Sequence, residues 1–399
     1  MSIFQDKHIL LGVTGGIAAY KAVELLRLLK KAGARVTVSM TESAQYFVGK
    51  TTFQVLSEND VLCELFHTDE STVKHIDIAS SSDAVVIAPA TANFIGKLAN
   101  GIADDALTTT LLAVTCPVMV CPSMNSDMYQ NIRVQRNLDI LEGDGIHILD
   151  PDSGELACKT TGAGRLPEPE YIFDRLARLL APKDLAGKQV LISAGPTMEP
   201  IDPVRYISNH SSGKMGYAIA RAAEMRGASV TLVSGPVSLD PPFHVNTIPV
   251  KTCTEMYDQI MDQLDVADII IKVAAVADFT PDQASDTKIK KTGTSSSLRI
   301  DLKENPDILK DVGRKKRKDQ FLVGFAAETH DLIANANAKI EKKNLDMIVA
   351  NTVGKEGTGF KADTNQASFI GRDGTCETLP LMDKFDLANR LLDRILKSL

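Results

Sequence analysis

The chain has 399 residues, a net charge of −7, and 44% hydrophobic against 24% charged residues. At roughly 100–200 residues per domain, that length leads to an expectation of two globular domains. The acidic balance gives no drive toward nucleic acid, and no apolar run approaches the roughly 20 residues that span a bilayer. The first residues lack a signal peptide's basic-then-apolar profile, and the six cysteines form no C-x-x-C pair. Both observations lead to an expectation of a soluble, reduced, cytoplasmic protein without a zinc ribbon.

In chain order, the first strand is expected over residues 8–12, followed by Val13-Thr14-Gly15-Gly16. A helix comes next with an apolar face of Ala18, Ala19, Val23, Leu25, Leu26, Leu28 and Leu29, and Gly33 is placed to end it. Further strands are expected over 35–40, 84–88, 117–121 and 147–149, with helical segments between them. That alternation argues an α/β, doubly wound parallel sheet. Ala181-Pro182 breaks a helix, so a first domain over 1–182, a linker over 183–187 and a second domain over 188–399 are expected. The second half repeats the pattern with strands over 189–193, 229–233, 268–273, 321–324 and 347–350, and a closing helix over 385–396. Residues 297–302 alternate as a hairpin or edge strand does, and the basic run at 314–318 reads as a solvated helix end.

In such sheets, ligands bind at the carboxyl ends of the strands. Four loops of the first half share that rim: Thr14-Gly15-Gly16, Thr41-Glu42-Ser43, Ala88-Pro89-Ala90-Thr91-Ala92-Asn93 and Pro122-Ser123-Met124-Asn125. The first can cradle a phosphate on backbone N–H groups, although it departs from G-x-G-x-x-G and so from a nicotinamide dinucleotide site. His75, near Asp77, is a candidate base, while a lone histidine there equally suits a surface or core position. Cys158 stands in a glycine-rich stretch, 154–165, that reads as a mobile flap, making it a candidate acid or reactive thiol. The second half has a long polar loop over 201–216 between strand and helix. Arg205, Asn209, Ser211, Ser212 and Gly213 within it suit an anionic ligand.

The motifs Lys74-His75-Ile76-Asp77, Pro89-Ala90-Thr91-Ala92-Asn93, Pro122-Ser123-Met124-Asn125 and the Cys158 flap occur in the order found in the homo-oligomeric flavin-containing cysteine decarboxylases, which the first half resembles. The second half resembles the phosphopantothenate–cysteine ligases. The motifs are Ala194-Gly195-Pro196-Thr197, the 201–216 loop, Ala274-Ala275-Val276-Ala277-Asp278-Phe279, Lys288-Ile289-Lys290-Lys291, Asn305-Pro306-Asp307-Ile308 and Gly324-Phe325-Ala326-Ala327-Glu328-Thr329. Over nearly all 399 residues, the chain is similar to the bifunctional decarboxylase–ligase family of bacterial coenzyme A biosynthesis.

The resemblance implies two Rossmann-like domains, the first flavodoxin-like. It implies FMN held by Thr14, Gly15, Gly16, Thr41, Ala88, Pro89, Ala90, Thr91, Ser123 and Met124. It further implies oxidative decarboxylation of 4′-phosphopantothenoylcysteine to 4′-phosphopantetheine. His75 would act during oxidation, Asn125 would hold the carboxylate, and Cys158 would donate a proton during the final reduction. For the ligase it implies coupling of 4′-phosphopantothenate to cysteine with CTP and Mg2+ through an acyl-cytidylate. Lys288 and Asn209 would be catalytic, and Arg205 and Asn209 would bind substrate. Ala274, Asp278, Lys288, Pro306, Asp307, Ile308, Leu309, Phe325, Lys339 and Lys343 would bind nucleotide. Metal ligands are not implied. A homo-oligomer is, with trimers of the flavin domain linked by ligase dimers into a dodecamer.

Two departures stand out: Lys159 follows the cysteine where the family has glycine, and Pro196 replaces the middle residue of Gly-Gly-Thr. Two other readings remain open at this point. A nicotinamide oxidoreductase lacks its glycine fingerprint here, and phosphatase-binding relatives of the flavin domain can carry long acidic tails, of which this sequence shows none.

Overall fold

The structure, a computed structural model, describes residues 3–65, 74–155, 161–290, 298–328, 332–352, 359 and 362–399. It divides into two compact units, Met1–Ala181 and Pro182–Leu399.

The first unit runs β1 (His8–Val13), α1 (Ala19–Lys31), β2 (Arg35–Met40), α2 (Lys50–Ser57), β3 (Val61–Leu62), α3 (Lys74–Ser81), β4 (Ala84–Ala90), α4 (Ala92–Ala99), α5 (Ala106–Ala113), β5 (Val118–Pro122), α6 (Ser126–Tyr129), α7 (Ile132–Gly143), β6 (His147–Ile148), β7 (Asp152–Glu155), β8 (Thr161–Arg165) and α8 (Pro169–Leu180). Six strands form a parallel sheet in the order β3-β2-β1-β4-β5-β6. This is the order of the Rossmann branch of the doubly wound class, and the order reverses between β1 and β4. Every residue of β1 and β4 is buried, as helices on both sheet faces require. Of the expected face of α1, Ala19, Leu25, Leu26 and Leu29 are buried, joined by Ala22 and, unexpectedly, Lys21. Gly33 closes the helix at φ +88°.

The second unit runs β9 (Gln189–Ala194), β10 (Met198–Pro200), β11 (Tyr206–Ser208), α9 (Lys214–Met225), β12 (Ser229–Ser234), β13 (Asn246–Pro249), α10 (Cys253–Leu264), β14 (Ile269–Lys272), β15 (Phe279–Pro281), β16 (Leu302–Glu304), α11 (Ile308–Lys315), β17 (Phe321–Glu328), α12 (Leu332–Lys343), β18 (Met347–Thr352), β19 (Thr364–Asn365), β20 (Ala367–Gly371), β21 (Cys376–Thr378), β22 (Met382–Asp383) and α13 (Lys384–Leu396). Its main sheet is ordered β13-β12-β9-β14-β17-β18-β20-β21, parallel through β18, with β20 and β21 added antiparallel. The strands alternate between two cores, as their period of two demands. Ile269, Ile271, Val323 and Val349 enter one, and Ile270, Leu322 and Ile348 the other. The doubly wound α/β class expected from the sequence thus holds in both units.

Several sequence expectations shift. Residues 183–187 are not a free linker. Leu185 is buried in the second unit's core, and Arg226 pairs with Asp184 at 2.6 Å and Asp393 at 2.8 Å. The alternating stretch at 297–302 forms a strand only from Leu302, where β16 pairs antiparallel with β15; residue 297 lies outside the described residues. In the basic run, Lys316 is not solvated: it is buried against Asp346 at 2.7 Å. No helix among the described residues is long and apolar enough to cross a membrane.

Candidate functional site

In the first unit, the carboxyl ends of β1 and β4 meet at the switch point, and side-chain chemistry joins them. Thr14 Oγ1 donates to the Pro89 carbonyl at 2.8 Å and accepts from the Thr91 N–H at 3.0 Å. Thr91 in turn caps α4, accepting from the Phe94 N–H. The 14–16 turn is pressed onto the next loop, since a Cβ on Gly15 would stand 2.4 Å from the Ser43 Cβ. Thr41, just after β2, has a buried hydroxyl without a hydrogen-bond partner among the described residues. A buried orphan of this kind is what a ligand hydroxyl or phosphate oxygen would satisfy.

The β5 end carries Ser123, whose N–H donates to the Ala90 carbonyl at 2.9 Å. The β7–β8 pair returns over it: the Met124 N–H donates to the Gly164 carbonyl at 3.0 Å. Gly164, at φ +143°, leaves no room for a side chain, because a Cβ would fall 2.2 Å from the Met124 oxygen. The stretch read as a flap is therefore a hairpin stem at both ends, seated on the 123–126 loop. Cys158 and Lys159, between its strands, lie outside the described residues.

The 15–16 turn, Thr91 and the 123–125 loop line a cavity of about 580 Å3 with Gly164 and others; Thr41 is not among its lining residues. That volume lies in the range of small-molecule cofactor sites. Asn125 Oδ1 accepts from the Asp127 N–H at 2.8 Å. Ala88, Pro89 and Ala90 do not line the cavity: they end β4, the first two joined by a cis peptide bond, with Ala88 and Ala90 fully buried. His75 is half-buried on α3 and does not line the cavity. Lys21, which carries no local sequence signal, does. Its buried ammonium donates to the Leu166 carbonyl at 2.9 Å and pairs with Glu168 at 3.0 Å.

In the second unit the switch point lies between β9 and β14, and the loops there are stitched by backbone bonds. The Ala275 N–H donates to Gly195 O at 2.9 Å and the Thr197 N–H to Ala275 O at 3.4 Å. Neither needs a donor at 196, which explains how proline is accommodated there. The Ala274 N–H donates to Ser193 Oγ at 3.2 Å, and the Ala277 N–H to Thr197 Oγ1 at 3.0 Å. Asn209 Nδ2 donates to the Ala275 carbonyl at 2.9 Å, and Asn305 Nδ2 to the Ala277 carbonyl at 2.9 Å.

Arg205 does not stand open as a free anion clamp. Its Nε donates to Asp202 Oδ2 at 3.0 Å and its Nη2 to the Ile289 carbonyl at 2.8 Å. The Arg205 guanidinium, with the Val204, Ile289 and Arg205 N–H groups, holds the Asp202 carboxyl well below the usual carboxylate range. They also fasten the segment that carries the exposed Lys288.

A smaller cavity of about 160 Å3 opens beside the α9 N-terminus, lined by Ser211, Gly213, Ala274, Phe325, Asn351 and Lys384 among others. Lys384 donates to the Gly359 carbonyl at 3.2 Å, and burial with the neighbouring Lys214 pushes its amine down. Asp307 caps α11 and pairs with Lys343 at 3.0 Å. Asp278 and Pro306 are exposed, Lys339 half-buried on α12, Ile308 buried in the core and Leu309 packed against it. The structure thus groups Ala274 and Phe325 with one cavity, and Asp307 and Lys343 with each other. Asn351 was legible by the rule that found the other loops, since it follows the apolar run of β18. Lys384 was not, because only the fold's return brings α13 there.

Two family models match the chain: "Flavoprotein" over residues 4–181 and "DNA/pantothenate metabolism flavoprotein C-terminal domain" over residues 185–399. The Coenzyme A biosynthesis bifunctional protein CoaBC of Bacillus subtilis (strain 168) is 49% identical over 398 residues, covering 98% of this chain and 97% of that protein. The protein of the same name from Escherichia coli (strain K12) is 44% identical over 392 residues, covering 98% and 96%. Among solved structures, the C-terminal domain of a CoaBC protein is 41% identical with a TM-score of 0.47, covering 54% of this chain and 97% of that one. A mutant PPC decarboxylase complexed with pantothenoylaminoethenethiol is 30% identical with a TM-score of 0.40, covering 43% and 97%. The chain belongs to the family of bifunctional coenzyme A biosynthesis proteins, a flavoprotein unit followed by a DNA/pantothenate-metabolism C-terminal unit.

Proposed function

We propose that the second unit joins 4′-phosphopantothenate to cysteine at the expense of CTP, and that the first decarboxylates the product to 4′-phosphopantetheine with FMN. The observation that carries this is the cavity at the first unit's switch point, together with the orphaned Thr41 hydroxyl. The donor set fits FMN. The 14–16 turn would receive the phosphate, and Thr41, Thr91 and Ser123 would offer hydroxyls. Met124 would give its apolar bed, with Ala88, Pro89 and Ala90 packed behind the Thr14–Thr91 contact that shapes the site. Bound FMN supplies a two-electron sink and source, which lets the substrate's carboxylate leave.

The chain's residues do the rest. Asn125 would orient the carboxylate through its amide, and Cys158 would donate the closing proton. His75, away from its own chain's cavity, would act as base in the cavity of a second copy. A homo-oligomer therefore belongs to this reading. Exposed Ile17, Tyr20 and Met128 on the cavity rim support it. So do exposed Val204, Tyr206, Phe279 and Leu302 on the paired short strands and turn of the second unit.

In the ligase, a carboxylate cannot acylate an amine until its oxygen becomes a good leaving group. Attack of the carboxylate on CTP gives the acyl-cytidylate and pyrophosphate; the cysteine amine then forms the amide and releases CMP. Lys288 would offset charge on the triphosphate. Asn209, tied to the Ala275 carbonyl, would hold the mixed anhydride. Asp278, Asp307, Lys339 and Lys343 would contact nucleotide. Mg2+ would arrive on the triphosphate, and among the described residues no group of three or more His, Cys, Asp or Glu side chains is arranged to hold a metal. We place both reactions in the cytoplasm. The purified protein is expected to be yellow and to release pyrophosphate from CTP only when 4′-phosphopantothenate is present. A colourless protein that takes up no added FMN would overturn the first assignment, and CTP left intact the second.

A further inference from the structure

Lys272 is the last residue of β14, on one side of the second unit's switch point. Its side chain is buried, and its one hydrogen-bond partner among the described residues is the Met256 sulfur on α10, 3.8 Å away. No carboxylate among the described residues pairs with it, which is unusual for a buried ammonium. The charged and titratable groups facing it are Cys253 at the start of α10, Asp307 at the start of α11, and Lys343 on α12. Glu199 and Asp278 lie around Cys253, and Glu199 Oε1 accepts the Cys253 N–H at 2.9 Å. Burial pushes the Lys272 amine down to about 7, with Cys253 and Asp307 opposing and Lys343 assisting.

We propose that Lys272 is a buried positioning residue of the nucleotide site, which takes up one proton from solvent when a nucleoside triphosphate binds and then holds Asp307 and the start of α11 beneath it. The inference rests on the reading that Asp307 and Lys343 contact nucleotide. At pH 8 the empty site keeps this amine largely neutral. An anion arriving at the neighbouring Asp307–Lys343 pair favours the charged form. A surface lysine is already protonated at that pH and takes up nothing, so proton uptake reports a buried amine, and loss of the uptake in Lys272→Met assigns it to Lys272 rather than to Lys384, which burial also pushes down.

The test is titration calorimetry of the full-length protein with magnesium–CTP at pH 8, in two buffers of different ionisation enthalpy. The nucleotide itself is fully ionised there. Uptake approaching one proton is expected, with CTP affinity falling about tenfold per pH unit between pH 8 and 9. Lys272→Met, close in volume, should bind without uptake and with affinity flat across that range. Lys272→Arg should also bind without uptake, because its charge is permanent. CTP binding without proton uptake in the unaltered protein overturns the inference whatever the variants do, as does uptake that persists in Lys272→Met. Absence of any CTP binding would overturn the nucleotide reading itself, and this inference with it.

Discussion

Gly15 has no room for a side chain, whereas a Cβ on Gly16 would sit 3.7 Å from the Thr91 methyl in ordinary contact. Gly15→Ala should therefore cost about 1–3 kcal/mol through overpacking against Ser43 and lose FMN on gel filtration, while Gly16→Ala keeps the fold. Equal FMN retention in both would contradict the phosphate turn. Lys288 and Asn209 differ in kind, one a point charge and the other an amide. With labelled CTP in rapid quench, Lys288→Gln should form little acyl-cytidylate and Asn209→Asp should accumulate it; equal loss in both would refute separate roles. His8 supplies a pH dependence. It is buried, with Nε2 2.8 Å from Thr37 Oγ1, and burial followed by Arg35 holds its pKa below 6.5. The unfolded chain then binds more protons, so this contribution is complete above pH 6.5 and is lost as pH falls below it. The first unit's melting temperature should drop between pH 7 and 5, and His8→Gln should flatten the drop.

The β7–β8 hairpin connects an element to a step in the chemistry. Gly164 and Gly162 let it lie against the 123–126 loop; a Cβ on Gly162 would approach Ser126 Cβ at 2.8 Å. Gly164→Ala should lift the hairpin and reduce decarboxylation at least tenfold, with CTP-dependent pyrophosphate release unchanged; loss of both activities would point to global unfolding instead. At this scale the sequence was legible where pattern and burial coincide. The parallel strands of both sheets read as apolar runs, and the loops after β1, β4, β5 and β9 followed from polarity at strand ends. The antiparallel edge was not legible: in β21 Cys376–Thr378 is exposed and carries no core pattern, while β20, Ala367–Gly371, is buried throughout but short and follows β18 without the helix that marks the parallel units. Lys316 read as solvent-facing since its partner Asp346 lies 30 residues on. Lys21, Lys272 and Lys384 were missed for the same reason: a buried lysine looks like a surface one until the fold closes over it.

Across the whole molecule, each unit has its own sheet and its own core, and the division falls at Ala181–Pro182. The two units are expected to melt as two transitions, with a ligand raising the transition of the unit that binds it. FMN should raise one transition and magnesium–CTP the other; two transitions of which both ligands raise the same one would contradict a separate site in each unit. The most direct test of the bifunctional account supplies the protein with FMN, 4′-phosphopantothenate, cysteine and magnesium, adds each nucleoside triphosphate in turn, and follows products by mass spectrometry. With CTP, 4′-phosphopantothenoylcysteine should appear first and 4′-phosphopantetheine after it, alongside CMP and pyrophosphate. Consumption of CTP without the amide, or the amide persisting with no loss of carbon dioxide, would contradict it.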